Sequence, residues 1–81
     1  MANTEERIQK LIAESIYHKE YRVNLKKSPD SLGLDSLDMI ELEMAIEDEF
    51  HIVISDQDLA GFYKKPLSEL VRYVEEKEAV K

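Results

Sequence analysis

Residues 32–50 read LGLDSLDMIELEMAIEDEF, and this stretch decides the fold. On a helix turning about 100° per residue, Met39, Leu42, Ile46 and Phe50 share one face, the stripe a helix needs to lie against a core. Leu37, Ile40 and Met44 fall on nearly the opposite face, interleaved with Glu41, Glu47 and Asp48. Only one face can enter a two-layer core, and the stripe ending in Phe50 is the longer and bulkier. The other is expected to stay exposed as apolar knobs fringed by carboxylates, the make-up of a docking surface. The same spacing also admits Leu37, Ile40 and Met44 covering another helix of a crowded bundle.

Outward from this helix, expected over 36–50, the flanking segments also read as helices. Ile8, Leu11, Ile12 and Ile16 form one stripe over residues 4–17, with Asn3 and Glu6 spaced as a capping box and Thr4 as an alternative cap. Residues 18–34 are irregular. Tyr21, Val23 and Leu25 alternate as a short strand would, but no partner strand is evident, so a loop tucking one or two of them onto the bundle is expected. His51-Ile52-Val53-Ile54 suits an extended crossing. Ser55 or Asp56 can cap a short helix over 56–62, with Leu59 and Phe62 inward. Pro66 suits the first turn of a last helix to about Lys77, carrying Leu67, Leu70, Val71 and Val74, with the tail from Glu78 onward frayed. The fold class is therefore all-α: a small four-helix bundle of three longer helices and one short one, with a long first loop, in a single domain spanning 1–81. Two Gly, two Pro and 7% aromatic residues also disfavour a turn-rich β architecture.

Charge narrows the function. Asp35, Asp38, Glu41, Glu43, Glu47, Asp48 and Glu49 occupy one stretch without a Lys or Arg, and these seven acids equal the net charge of −7. Such a field repels phosphate backbones, so nucleic acid is not an expected partner; a basic protein surface is the natural complement. The absence of Cys rules out thiolate metal sites and a thiol nucleophile. No apolar run approaches the roughly 20 residues of a membrane span. The start carries neither a basic nor an apolar signal region, so a cytoplasmic protein is expected, or an organellar one after loss of a transit peptide.

Catalytic and metal-binding residues are not expected. His18 and His51 stand outside any ligand or triad spacing, and Asp56-Gln57-Asp58 lacks the glycine and later glutamate of a calcium loop. Ser36 is set apart by its position. Ser is a good helix cap, and Asp35 with Asp38 forms an alternative capping pair. Yet a cap needs neither the tight approach through Gly33 nor an apolar patch one turn on. A hydroxyl at that rim, with no base to activate it, is placed to be modified rather than to react.

The run Leu32-Gly33-Leu34-Asp35-Ser36-Leu37-Asp38 resembles the attachment motif of acyl carrier proteins. The similarity continues through Ile40-Glu41-Leu42 and Met44-Ala45-Ile46-Glu47-Asp48-Glu49-Phe50 to Ile54, and length, acidity and helix order match along the chain. The resemblance implies a 4'-phosphopantetheine arm on Ser36, installed from coenzyme A by a phosphopantetheinyl transferase. It implies a monomeric, non-catalytic carrier of acyl thioesters for fatty acid or related biosynthesis. Asp35, Leu37, Asp38, Ile40, Glu41, Met44, Glu47 and Asp48 would meet acyl-handling enzymes with basic patches. Leu42, Ile46, Phe50, Ile54, Leu59, Phe62 and Leu70 would line an acyl pocket. Glu43 departs from the family, standing where an apolar residue is common beside the core stripe, and Ser28, Ser55, Lys26-Lys27 and Lys64-Lys65 depart as well. A specialised polyketide or aminoacyl carrier therefore stays open, as do an unmodified acidic adaptor docking through Leu37, Ile40 and Met44 and a calcium-responsive acidic bundle.

Overall fold

In the computed structural model, which describes residues 3–20 and 22–80, four α-helices follow in the order α1 (Thr4–Ile12), α2 (Ser36–Phe50), α3 (Asp56–Phe62) and α4 (Leu67–Ala79). Helix α1 packs on α2 and α4, whereas α3 packs on α4. Ile8 and Ile12 of α1, Leu42 and Ile46 of α2, and Leu70 and Val74 of α4 form the centre of the core.

Helix α1 starts as its sequence dictates: the Asn3 side chain accepts the Glu6 backbone N–H at 2.8 Å. Thr4, the alternative cap, is instead the first helical residue, and its hydroxyl donates to Glu78 at 3.2 Å. The helical span expected to residue 17 is correct in extent but not in kind. Its last five residues, Ala13–Tyr17, form a wider π turn that packs on α2 and ends at His18 in the left-handed conformation.

The long loop folds onto the bundle and forms no strand among the described residues; Tyr21 lies outside them. Val23 and Leu25 are buried. Gln9 holds Val23 from both sides, its amide donating to the Val23 carbonyl at 2.8 Å and accepting the Val23 N–H at 2.9 Å. The loop also completes α4. Pro66 has no side chain able to cap, so the N–H groups of Leu67 and Ser68 donate to the carbonyls of Lys27 and Leu25, each at 2.9 Å.

One further expectation needs correction. Helix α4 does not fray from Glu78 but continues to Ala79, because Glu78 is engaged by Thr4 and lies 4.0 Å from Arg7. Phe62 packs inward against the core as expected, half-buried and edge-on to Tyr73 with ring centroids 5.1 Å apart. The crossing behaves as expected, with Ile52 and Ile54 inward and Val53 outward. Its end is pinned by the Ile54 N–H donating to the Glu47 carboxylate at 2.8 Å.

Candidate functional site

Helix α2 begins at Ser36, and the residue before it provides the cap. The Asp35 carboxylate accepts the Asp38 N–H at 2.9 Å, and the Asp38 carboxylate accepts the Asp35 N–H at 3.1 Å. Both bonds of a capping box are thus made by the two aspartates, which leaves Ser36 free of that duty. Its side chain is exposed and makes no hydrogen bond among the described residues. The approach is set by Gly33, whose φ of +77° is the left-handed region that glycine enters without strain. Tyr63 fixes the same approach from α3, its hydroxyl donating to the Leu34 carbonyl at 2.8 Å.

Ser36 stands at the mouth of a groove between α2 and α3. The groove has a volume of about 620 Å³ and is lined by Ser36, Met39, Ile40, Asp56, Leu59, Ala60 and Tyr63. That volume lies in the range occupied by small ligands. Of the residues expected in an acyl pocket, only Leu59 lines this groove; Leu42, Ile46, Phe50, Ile54 and Leu70 are packed in the interior, each no more than 3% exposed. Met39, Asp56, Ala60 and Tyr63 were not among the expected pocket residues. Met39 could have been found, since it lies one helical turn beyond Ser36. Tyr63 could not, because its place depends on the fold of the long loop.

The outer face of α2 is as its periodicity predicts. Leu37, Ile40 and Met44 are 62%, 47% and 61% exposed, which removes the reading that they cover another helix of the bundle. Around them Glu41 and Asp48 are exposed and make no hydrogen bond among the described residues. Asp35, Asp38 and Glu47 also have structural work, the first two as the cap and Glu47 in holding Ile54. Both histidines end helices in the left-handed conformation, and neither lines the groove.

Glu43 is a feature that periodicity does not reveal. It follows Met39 and Ile40 by one turn, and its Oε2 is buried with no hydrogen-bond partner among the described residues. Burial, followed by the like charges of Glu47 and Asp56, pushes its carboxyl above the usual carboxylate range. A carboxyl raised in the folded state stabilises the fold fully below its unfolded pKa, and that stabilisation is lost as pH rises through the folded value. At neutral pH Glu43 therefore weakens the fold. Replacing Glu43 by Gln removes the charge that burial and the neighbouring acids oppose, and is expected to raise Tm at neutral pH. The gap between variant and wild type should close on acidification, as thermal melts at a series of pH values would show.

A family model described as a phosphopantetheine attachment site matches residues 6–74. Acyl carrier proteins from three strains of Buchnera aphidicola subsp. Acyrthosiphon pisum (Tuc7, 5A and APS) are each 49% identical to the chain over 59 residues, covering 72% of this chain and 74% of theirs. The residues present suit that prosthetic group: a primary hydroxyl open to solvent is what a phosphodiester link requires, and the groove beside it is walled largely by apolar side chains. With a capped acidic helix, an exposed hydroxyl at its head and these relatives in agreement, the chain belongs to the acyl carrier protein family, whose prosthetic group is 4'-phosphopantetheine.

Proposed function

We propose that the protein is a carrier, not a catalyst, that takes its arm on Ser36 and presents acyl groups to successive enzymes of fatty acid or related biosynthesis in the cytoplasm. The observation that carries this reading is the exposed, uncommitted Ser36 hydroxyl, released from capping by Asp35 and Asp38. In the loading step the Ser36 oxygen forms a bond to the pantetheine-bearing phosphorus of coenzyme A. The bond joining that phosphorus to the bridging oxygen of the second phosphate breaks, and the adenosine half leaves as a bisphosphate. The serine proton passes to a base of the phosphopantetheinyl transferase, since Ser36 has no partner among the described residues to receive it. When bound, the arm supplies a thiol that holds acyl groups as thioesters.

The remaining work belongs to this chain's own residues. Leu37, Ile40 and Met44 offer small apolar contacts, and Asp35, Asp38, Glu41, Glu47 and Asp48 surround them with negative charge for Lys and Arg patches on partner enzymes. Exposed ion pairs of about 0–1 kcal/mol each favour quick, salt-sensitive encounter over permanent binding, which suits a carrier that must leave each enzyme. The N-terminus of α2 tolerates a phosphodiester, while Asp35 and Asp38 repel it, so the arm should move freely at the surface. The groove reached from Ser36, with Leu59 at its wall, offers an apolar tail a first resting place, and the core of Leu42, Ile46, Phe50, Ile54 and Leu70, flanked by Phe62, lies behind it.

The test is incubation with coenzyme A and a broadly acting transferase, followed by intact mass and peptide mapping. One added arm on the peptide containing Ser36 is the expected result. No gain in mass would leave the exposed face of α2 as an adaptor surface without cargo.

A further inference from the structure

The acids of α2 have a counterpart of opposite sign in the loops. Residues 22–29 (RVNLKKSP) and 60–68 (AGFYKKPLS) carry Arg22, Lys26, Lys27, Lys64 and Lys65 with no Asp or Glu. Backbone bonds hold the two segments together. The Leu67 N–H donates to the Lys27 carbonyl, the Ser68 N–H to the Leu25 carbonyl and the Asp30 N–H to the Tyr63 carbonyl, each at 2.9 Å. All five cationic residues are exposed, and none pairs with a carboxylate among the described residues. Asp30 and Glu69 flank these segments in sequence, but neither forms an ion pair among the described residues. Arg22 and Lys26 line an open groove of about 590 Å³ with Asn24, Ser68 and Glu5, and Lys65 lies 5.8 Å over the Phe62 ring.

This basic corner borders the approach to Ser36. Tyr63, whose carbonyl holds Asp30, also donates its hydroxyl to the Leu34 carbonyl at 2.8 Å and lines the groove at whose mouth Ser36 stands. Lys64 is the next residue. Resting on the carrier reading above, we infer that the corner is a second docking surface, which receives an acidic patch on the phosphopantetheinyl transferase while α2 receives a basic one. The geometry favours the transferase because it must reach the Ser36 oxygen itself, and so covers the approach from both flanks. Enzymes that take cargo from the far end of the arm need no contact there. A transferase with a uniformly basic rim would meet the corner as like charge, so the corner selects against it as well as for its complement. Two patches of opposite sign also fix the orientation of docking, which a single acidic face leaves loose.

The test is kcat/KM for arm transfer to Ser36 by the transferase of the cells that make the protein, at low ionic strength. Lys27→Glu with Lys64→Glu reverses one charge in each segment and leaves the backbone bonds of the corner in place. It should lower kcat/KM about tenfold, and 1 M salt should erase the difference. Lys10→Glu with Lys77→Glu makes the same change of net charge on α1 and at the far end of α4, and should stay within about twofold of the wild type. Lys27→Gln with Lys64→Gln should be slower by about threefold, and it carries the test alone if the reversal does not fold. Zero-length carbodiimide coupling, which joins an amine only to a carboxylate in contact with it, should link Lys64 or Lys65 to an Asp or Glu of the transferase. Unchanged or faster loading of the corner variants would overturn the inference, as would an equal loss in the control pair or coupling only through the acids of α2. Intact mass keeps the two readings apart. A chain that gains no arm from this transferase or from a broadly acting one refutes the carrier reading itself, whereas a wild type that is loaded leaves that reading standing whatever its variants do.

Discussion

Ser36→Ala is expected to abolish uptake of the phosphopantetheine arm while leaving the fold unchanged. Alanine has the best helix propensity, the cap of α2 is built by Asp35 and Asp38, and the Ser36 hydroxyl has no partner to lose among the described residues. The thermal midpoint should therefore stay within about 2–4 °C of the wild type, because exposed substitutions away from such features change stability by only about 0.5 kcal/mol. Asp35→Ala should behave in the opposite sense, losing about 1 kcal/mol of stability with the cap while keeping its hydroxyl acceptor. Mass spectrometry and thermal melts on the two variants separate attachment from capping. An arm still gained by Ser36→Ala would place the attachment elsewhere in the chain.

The second large effect concerns encounter with enzymes. Glu41 and Asp48 are the acids of the outer face that are exposed and free of hydrogen bonds among the described residues, so Glu41→Gln with Asp48→Asn removes charge without touching the cap or the Ile54 anchor. At low ionic strength the double variant should be loaded about tenfold more slowly by a transferase with a basic docking patch, since charge steering changes association by about tenfold or more. Salt should erase the difference, because screening shortens to about 3 Å at 1 M. The readout is kcat/KM for arm transfer across a salt series. Equal rates for variant and wild type at low salt would remove the outer acids from docking.

Much of α2 was legible because its two stripes follow directly from helical periodicity. The inner stripe of Met39, Leu42, Ile46 and Phe50 is buried and the outer stripe of Leu37, Ile40 and Met44 is exposed, with the helix running over Ser36–Phe50 as its pattern predicts. The choice of cap was not legible, since Asp35 and Ser36 are both good caps and only the backbone geometry decides between them. Partners joined through irregular backbone were hidden for the same reason. Gln9 on Val23, the loop carbonyls on α4 and Tyr63 on Leu34 all depend on how residues 18–35 fold back. Arg7 shows the limit from another direction. On a helical wheel it is one more surface cation, yet it pairs with Glu49 at 2.9 Å and lies 4.2 Å over the Phe50 ring, tying α1 to the end of α2. Glu43 was visible only as a polar residue beside the core stripe, and its orphaned oxygen required the packed neighbours to be in place.

The most direct measurement is the intact mass of the protein isolated from the cells that make it, with the peptide containing Ser36 sequenced by fragmentation. A mass larger by one phosphopantetheine, located on Ser36, is the predicted result. An unmodified mass in cells where other carriers bear their arm would contradict the assignment of Ser36 as the attachment point.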